Sequence, residues 1–390
     1  MTQTTGVQIN PAGNADHGDV RSEEMLLNMG PQHPSTHGVF RVVIRTDGEL
    51  ILDAESHIGY LHRCFEKICE SVDYTKATPY TDRLDYLMAM GNNLGYALAV
   101  EELMDVEVPE RAEYIRVIVT ELNRIASHLL AIGTYGMDIG AITPFLYCFR
   151  DRERILTILE TICGQRLNYN YVRIGGVSMD VDDMMLTMCQ DFVDYFMPRL
   201  MEYNDLLTYN GIFIARTANV GVLPTEMAIN YGCTGPVLRG SGVQRDLRRD
   251  RPYSIYDRFD FEIPVGTGEA GTVGDCFDRY MVRMREMIES LKIVKQALAQ
   301  ITPGPVQSAD IKGKPKPPKG VSGYTAVENA RGELGFYIVS DGSDTAFRMK
   351  CRSPAFCNVS VLHEISRGAM LADMVAIIGS LDIVLGEIDR

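Results

Sequence analysis

Two long apolar stripes at helical spacing constrain what this chain can fold into. In "ERAEYIRVIVTELNRIASHLLAIG", Ile115, Ile118, Leu122, Ile125, Leu129 and Ile132 recur every three or four residues, which places them on one face of a helix. Between Asp275 and Ile301 the same spacing returns in Phe277, Met281, Met284, Ile288, Leu291, Val294 and Leu298. Stripes this long are the packed seams of a helical core, because so wide an apolar face has to be covered. "DRLDYLMAMGNNLGYALAVEEL", "RDRERILTILETIC" and "VDDMMLTMCQDFVDYFMPRLMEYNDLL" add three more helices, and a last one is expected from about Ser360 into "GSLDIVLGEIDR".

Strand signals are confined to two places. "VFRVVIRTDGELILDAESHI" predicts a hairpin around Asp47-Gly48, a dipeptide that accepts positive φ in a tight turn, and "GFYIVSDGSDTAFRMKC" predicts a second. The expected fold is mainly α with peripheral β-hairpins, an α+β class. Residues 1–24 are polar and Gly/Asn/Asp-rich and are expected to form a flexible arm ahead of one domain, 25–390. The Pro- and Lys-rich stretch at about 302–323 breaks the helix series and is expected to be an exposed loop.

A chain of 390 residues with 46% hydrophobic content can bury a large core. Its net charge of -14 argues against a nucleic-acid surface, which needs clustered excess Lys and Arg. The nine cysteines include no C-x-x-C pair, so neither a structural zinc site nor an iron–sulfur site of its own is expected, and reduced thiols fit a cytosolic setting. The first twenty residues hold no apolar run. The apolar stretch from Met370 to Leu385 is interrupted by Asp373 and Asp382 and falls short of the roughly 20 residues a membrane span needs. A soluble chain results, with docking on a membrane complex left open.

Several motifs have an ordinary reading beside a functional one. "GTGEAG", Gly266–Gly271, matches G-x-G-x-x-G after the strand-like "FDFEIPV", but a long helix and a proline-rich loop follow where a dinucleotide fold needs alternating strands and helices, so a plain turn is preferred. "LRGSGVQRDLRRDRPYSIYDRF" gathers Arg239, Arg245, Arg248, Arg249, Arg251 and Arg258 among Asp and Tyr, and reads either as an ion-paired surface loop or as a contact with another chain. His33 with His37, or His57 with His62, could chelate a metal, yet no carboxylate or thiolate lies at a familiar ligand spacing. Gly30, Pro31, Pro34 and Gly38 stiffen the first pair's loop, which suits presentation of a side chain into a cavity. Asp85-Tyr86 and Asp138, at a helix end in "TYGMDIGAITPF", are unusual in a helical core, although buried Asp and Tyr are most often hydrogen-bonded structure.

Taken together, "MGPQHPSTHGVFR", "HIGYLHRCFEK", "YTDRLDYL", "MDIGAITPF", "RIGGV", "GSGV" and "LDIVLGEIDR", in this order, closely resemble the D-type subunits of respiratory complex I, the NADH:quinone oxidoreductase. The likeness runs from about Met25 to Arg390. That family is similar in fold to the large subunit of nickel–iron hydrogenases, which implies a helical core of that type. Hydrogenases hold their metal with an early R-x-C-x-x-C and a terminal D-P-C-x-x-C-x-x-H. In register, the thiolate positions fall here on Asp85 and Met88 after Arg83, and on Val384 and Glu387, with Arg390 closing the motif. With all four thiolates missing, these vestigial positions are expected to bind no metal.

The resemblance implies that His37 and Tyr86 hydrogen-bond the two carbonyl ends of a quinone such as ubiquinone or menaquinone, with Asp138 the acidic partner of His37 in proton transfer and coupling. Electrons would come from the terminal iron–sulfur cluster of the neighbouring B-type subunit, near Arg63. Asn168 stands where the family often has a histidine, and an asparagine there cannot titrate, so no pH coupling of that cluster is expected through this position. The implied setting is a proton-translocating complex peripheral to the cytoplasmic side of a bacterial inner membrane. The B-, C- and H-type subunits and others of the peripheral arm are the implied partners, with FMN and iron–sulfur clusters held by partners and no cofactor by this chain alone. Two other readings stand beside it. One is the equivalent component of a complex fed by another donor, such as reduced ferredoxin; the other is a non-catalytic scaffold descended from hydrogenase.

Overall fold

The computed structural model describes residues 24–311 and 313–390; the expected N-terminal arm lies almost wholly outside them. The chain runs β1 (Glu24–Met29), β2 (Arg41–Asp47), β3 (Leu50–His57), α1 (Phe65–Cys69), α2 (Tyr74–Thr81), α3 (Ala89–Met104), α4 (Glu110–Asp138) and α5 (Ile142–Cys163). It continues with β4 (Val172–Arg173), β5 (Gly176–Val177), α6 (Asp183–Tyr203), α7 (Gly211–Thr217), α8 (Thr225–Asn230), α9 (Gly235–Gly240), α10 (Leu247–Asp250) and α11 (Cys276–Gln300). β6 (Ser322–Asn329), β7 (Gly332–Ser340) and β8 (Ala346–Arg352) precede four short helices, α12 (Pro354–Val359), α13 (Leu362–Ser366), α14 (Asp373–Leu381) and α15 (Leu385–Asp389). This is the expected mainly helical α+β fold with small antiparallel sheets.

α4 is the axis. Its predicted stripe is buried against α3, α5, α11 and α14, but so are Arg116, Glu121, Asn123, Arg124, Ser127 and His128 on its other faces. The amphipathic pattern therefore understates the helix: the polar face is buried too, and its charges are paired inside. Each fully buried Ile or Leu of the stripe contributes about 1.5–3 kcal/mol, so the stripe is enough to fix α4 at the centre.

Both hairpins form, each enlarged by a strand the alternation did not announce. β1 joins β2 and β3 with Leu27 opposite Ile44 and Ile44 opposite Ala54, and the inward set Val42, Ile44, Ile51 and Ala54 is buried. β6 joins β7 and β8, with Phe336 opposite both Thr325 and Cys351, and its inner face meets Tyr96 of α3. Among the described residues between α11 and β6 there is no regular helix or strand, although Val306 and Ser308 hydrogen-bond the backbone of Val177 and Gly175.

Four expectations need correction. The helix read from Asp82 starts only at Ala89, because residues 82–88 form a turn. The helix read from Ser360 is broken into pieces: β3 takes the backbone of 368–371 through Gly368 N–H to Ile51 O (2.7 Å) and Ile51 N–H to Ala369 O (2.9 Å), and Gly368 and Asp382 turn at positive φ. "FDFEIPV" is not a strand, and the glycine motif after it is a turn whose Gly268 and Gly274 N–H groups donate to Asp278. The arginine-rich segment is not simply a surface loop either. Arg239 and Arg248 are fully buried: Arg239 donates to Glu286 and Glu328 (both 2.8 Å), and Arg248 to Asp246 (2.7 Å) and Glu121 (3.1 Å).

Candidate functional site

The loop that opens the site is tied to itself. A single 3-10 turn, Pro34–Thr36, is capped by His33, whose Nδ1 accepts from Ser35 N–H (3.2 Å), while Thr36 Oγ1 donates to His33 O (2.9 Å). His33 is thus a structural cap. The turn ends at His37 in the left-handed region, φ 50°, a conformation costly for a residue with a Cβ and retained only where the surroundings impose it. Held there, His37 reaches α4, and its Nε2 lies 2.9 Å from Asp138 Oδ2 at the last residue of that helix. The His37 side chain is 13% exposed and that of Asp138 4%, so the pair is nearly closed to water. α14 passes close beside it: a Cβ on Gly379 would fall 2.6 Å from the Tyr135 ring and 3.4 Å from Asp138 Oδ2, so only glycine fits.

Tyr86 is carried by the turn between α2 and α3. Asn92 Nδ2 donates to Asp85 O (2.9 Å), and Asn123 Nδ2 to Leu87 O (3.0 Å), so α3 and α4 pin its backbone on both sides. Its side chain is half-buried, and its hydroxyl has no hydrogen-bond partner among the described residues. Burial raises the phenol's pKa, with the Arg331 guanidinium the main opposing influence.

The four positions aligned with hydrogenase thiolates all lie in the interior. Asp85, Met88, Val384 and Glu387 are all buried, and a Cβ on Gly386 would fall 2.6 Å from Leu84 O, which shows how tightly the C-terminus closes on the Tyr86 turn. Arg331 joins them: it donates to Asp85 Oδ2 (2.8 Å) and to Asp382 Oδ1 (3.0 Å). Glu387 Oε2 accepts from Ala355 N–H (3.3 Å), whereas its Oε1 is buried without a partner. Burial, and then the Asp85 charge, push Glu387 up to about 8. Gly379, beside Asp138, and Asp382, on Arg331, are three residues apart, about one helical turn, so the C-terminal end of α14 borders both Asp138 and Arg331.

Arg63 borders this centre: its Nη2 would lie 3.3 Å from a Cβ on Gly386, and its charge is among those that ease proton loss from Tyr86. Arg63 Nη2 donates to Arg83 O (2.6 Å) and lines a cavity of about 700 Å³ with Phe65, Ile68, Tyr80 and Arg83. Neither His37, Tyr86 nor Asp138 lines that cavity. Asn168 sits at φ 58° with its Oδ1 buried and unpartnered, and no hydrogen bond joins it to Arg63 among the described residues. Its neighbour Asn170 donates from its backbone to Asp82, whose carboxyl burial pushes up to about 7. The histidine pairs separate: His57 lies 3.6 Å from Glu55, while His62 Nδ1 is 2.6 Å from Asp389 O. Among the described residues no group of three or more His, Cys, Asp or Glu is arranged to hold a metal.

Asp82, Asp382 and above all Arg331 escaped the sequence reading. Arg331 is one of two residues in the turn between β6 and β7, and arginines in hairpin turns are ordinarily solvated; nothing local marks this one as buried.

Comparison with known proteins agrees with this architecture. A family described as respiratory-chain NADH dehydrogenase, 49 Kd subunit, matches residues 138–322 and 311–390. The chain is 55% identical over 375 residues to the D-type subunit of the NADH-quinone oxidoreductase of Chlorobium luteolum, covering 95% of each chain. It is 54% identical over 374 residues to the corresponding protein of Chlorobaculum tepidum, covering 95% of this chain and 94% of the relative. No helix among the described residues is long and apolar enough to cross a membrane, which fits a peripheral position. The chain belongs to the family of the 49 Kd, or D-type, subunits of respiratory NADH-quinone oxidoreductase, complex I, whose oxidoreductase activity is that of the assembled complex.

Proposed function

We propose that this chain is the quinone-binding component of the complex, in the peripheral arm on the cytoplasmic side of a bacterial inner membrane, and that it helps to protonate quinone and couples this to proton translocation. The observation that carries the reading is the His37–Asp138 pair, an almost buried imidazole 2.9 Å from a carboxylate and presented by a self-tied loop. Reducing a quinone by two electrons leaves two oxygens that each need a proton, and a positioned imidazole and phenol can each deliver one. His37 and Tyr86 take these roles at the two ends of the headgroup. Groups held by partner proteins supply the electrons, namely FMN and an iron–sulfur cluster of the B-type subunit near Arg63 and Asn168, and the C- and H-type subunits complete the quinone path.

Within this chain the work is done by protons. Asp138 holds the His37 imidazole in place across 2.9 Å. When His37 gives its proton to the reduced quinone, the Asp138 charge is left uncompensated in a site nearly closed to water, where an unpaired charge acts strongly on its surroundings. That change is the trigger we assign for pumping. The hydrogenase-like positions do not fit a nickel–iron centre: Asp85, Met88, Val384 and Glu387 offer no thiolate, and Asp85 is already committed to Arg331.

The test is NADH:quinone activity of membranes carrying Tyr86→Phe or His37→Ala, beside NADH oxidation by an artificial acceptor that bypasses the quinone site. We expect quinone reduction to fall on the order of a hundredfold, the scale of a lost general acid, with the artificial activity intact. Unchanged quinone reduction in both variants overturns the reading in favour of a scaffold. Asp138→Asn tests the trigger: the ratio of protons pumped to electrons transferred should fall, and an unaltered ratio removes Asp138 from coupling.

A further inference from the structure

We infer that Arg331 is the positioning residue that sets Tyr86 against the quinone, acting through Asp85; this rests on the quinone reading above. The guanidinium is almost wholly buried although it comes from a two-residue hairpin turn, Ala330–Arg331, closed by Asn329 opposite Gly332. All three of its nitrogens are used. Nη1 donates to Asp85 Oδ2 (2.8 Å) and Ser127 Oγ (3.0 Å), Nη2 to Asp382 Oδ1 (3.0 Å), and Nε to Asp382 O (2.9 Å). One rigid planar group thus ties the Tyr86 turn to the middle of α4 and to the residue that ends α14.

The connection to Tyr86 is short. Asp85 Oδ1 accepts from Leu87 N–H (3.1 Å), so the Asp85 carboxylate grips the backbone just beyond Tyr86 with one oxygen and Arg331 with the other. The Tyr86 hydroxyl has no partner of its own among the described residues, so the aim of the phenol depends on this turn. The same cation also eases proton loss from the phenol, against burial. Lysine would keep the charge but lose the fork, because a point charge cannot hold Asp85, Ser127 and Asp382 in one plane.

The experiment is a double-mutant cycle in assembled membranes: Arg331→Lys, Tyr86→Phe and both together, with kcat and KM for a short-chain quinone and artificial-acceptor activity as the control. Arg331→Lys should raise KM about five- to tenfold, the scale of a misplaced hydrogen-bonding group, with the control intact. Added to Tyr86→Phe it should cost nothing further, since both act at one phenol. If Arg331→Lys leaves kcat and KM unchanged while Tyr86→Phe impairs turnover, or if the two losses multiply, the inference fails and the quinone reading survives. If Tyr86→Phe is itself silent, the inference falls, and His37→Ala decides whether the quinone reading falls with it. Should Arg331→Lys prevent assembly, Asp85→Asn in the same cycle decides the matter by the same criteria.

Discussion

Between α4 and α11, Glu121, Asp246 and Glu286 face Arg124, Arg239 and Arg248, whereas behind Tyr86 the carboxyls of Asp85, Asp382 and Glu387 share chiefly Arg331. Both clusters are buried and built from the same residue types, yet they treat protons oppositely. In the first, burial would raise the carboxylates, but the guanidinium groups overcome it and hold Glu121 and Asp246 at about 2 and Glu286 well below its usual range. Only Glu328 there is pushed up. In the second, burial prevails: Asp85 is raised despite Arg331, and Glu387 stands at about 8. The ratio of cations to carboxylates decides it. Where guanidinium groups nearly match the carboxylates, the cluster is mostly fixed charge that binds helices together; where three carboxyls share chiefly one, burial keeps Asp85 and Glu387 raised, next to the proposed proton chemistry.

The sharpest way to break the comparison is Arg239→Met. It would leave Glu286, Glu328 and Asp246 facing one cation fewer in a site closed to water, and removing one partner of a buried ionic network costs about 3–5 kcal/mol. We expect little of the variant protein in assembled complex and a markedly lower thermal midpoint for what assembles. Normal assembly at the normal midpoint would mean that the first cluster is not what holds α11 to α4.

That cluster also marks where sequence reasoning stopped. Arg239 and Arg248 stand among aspartates in a polar run, the local picture of a solvated loop, and the acids that bury them, Glu121, Glu286 and Glu328, come from three other elements. Periodicity found the apolar half of α4 and could not see that its polar half was buried. Asp85-Tyr86 and Asp138 stood out as polar groups in an apolar context, but the link from His37 to Asp138 spans 101 residues and came only from resemblance. Arg331 had no signal at all. What is local in the chain, the stripes and the hairpins, was legible; what depends on which distant charge meets which was not.

The second cluster is sharpened by Glu387→Gln, which keeps the shape and removes the titration. A carboxyl with a folded pKa of about 8, above its ordinary 4.5, favours the folded state fully below the ordinary value, and this contribution is lost as pH rises toward the folded one. The stability of Glu387→Gln relative to the unaltered complex should therefore increase between about pH 4.5 and 8 and level off above. Thermal midpoints of both complexes across that range are the measurement. A difference independent of pH would show that Glu387 is ionised throughout, and the contrast between the clusters would disappear.

The smallest effect belongs to the part of the arginine-rich segment that did stay at the surface. Arg258 pairs with Glu110, but the two side chains are 44% and 55% exposed, so water and salt screen the attraction and two long side chains must be ordered to make it. Arg258→Ala should change stability by less than about 1 kcal/mol, as exposed pairs do, and less still at high salt. Arg239 and Arg258 lie in one short run of sequence, so this pair of variants isolates burial as the variable. If Arg258→Ala lowers the thermal midpoint as far as Arg239→Met does, the run acts as a contact with a neighbouring protein in the assembled complex, because only a partner could exclude water from Arg258.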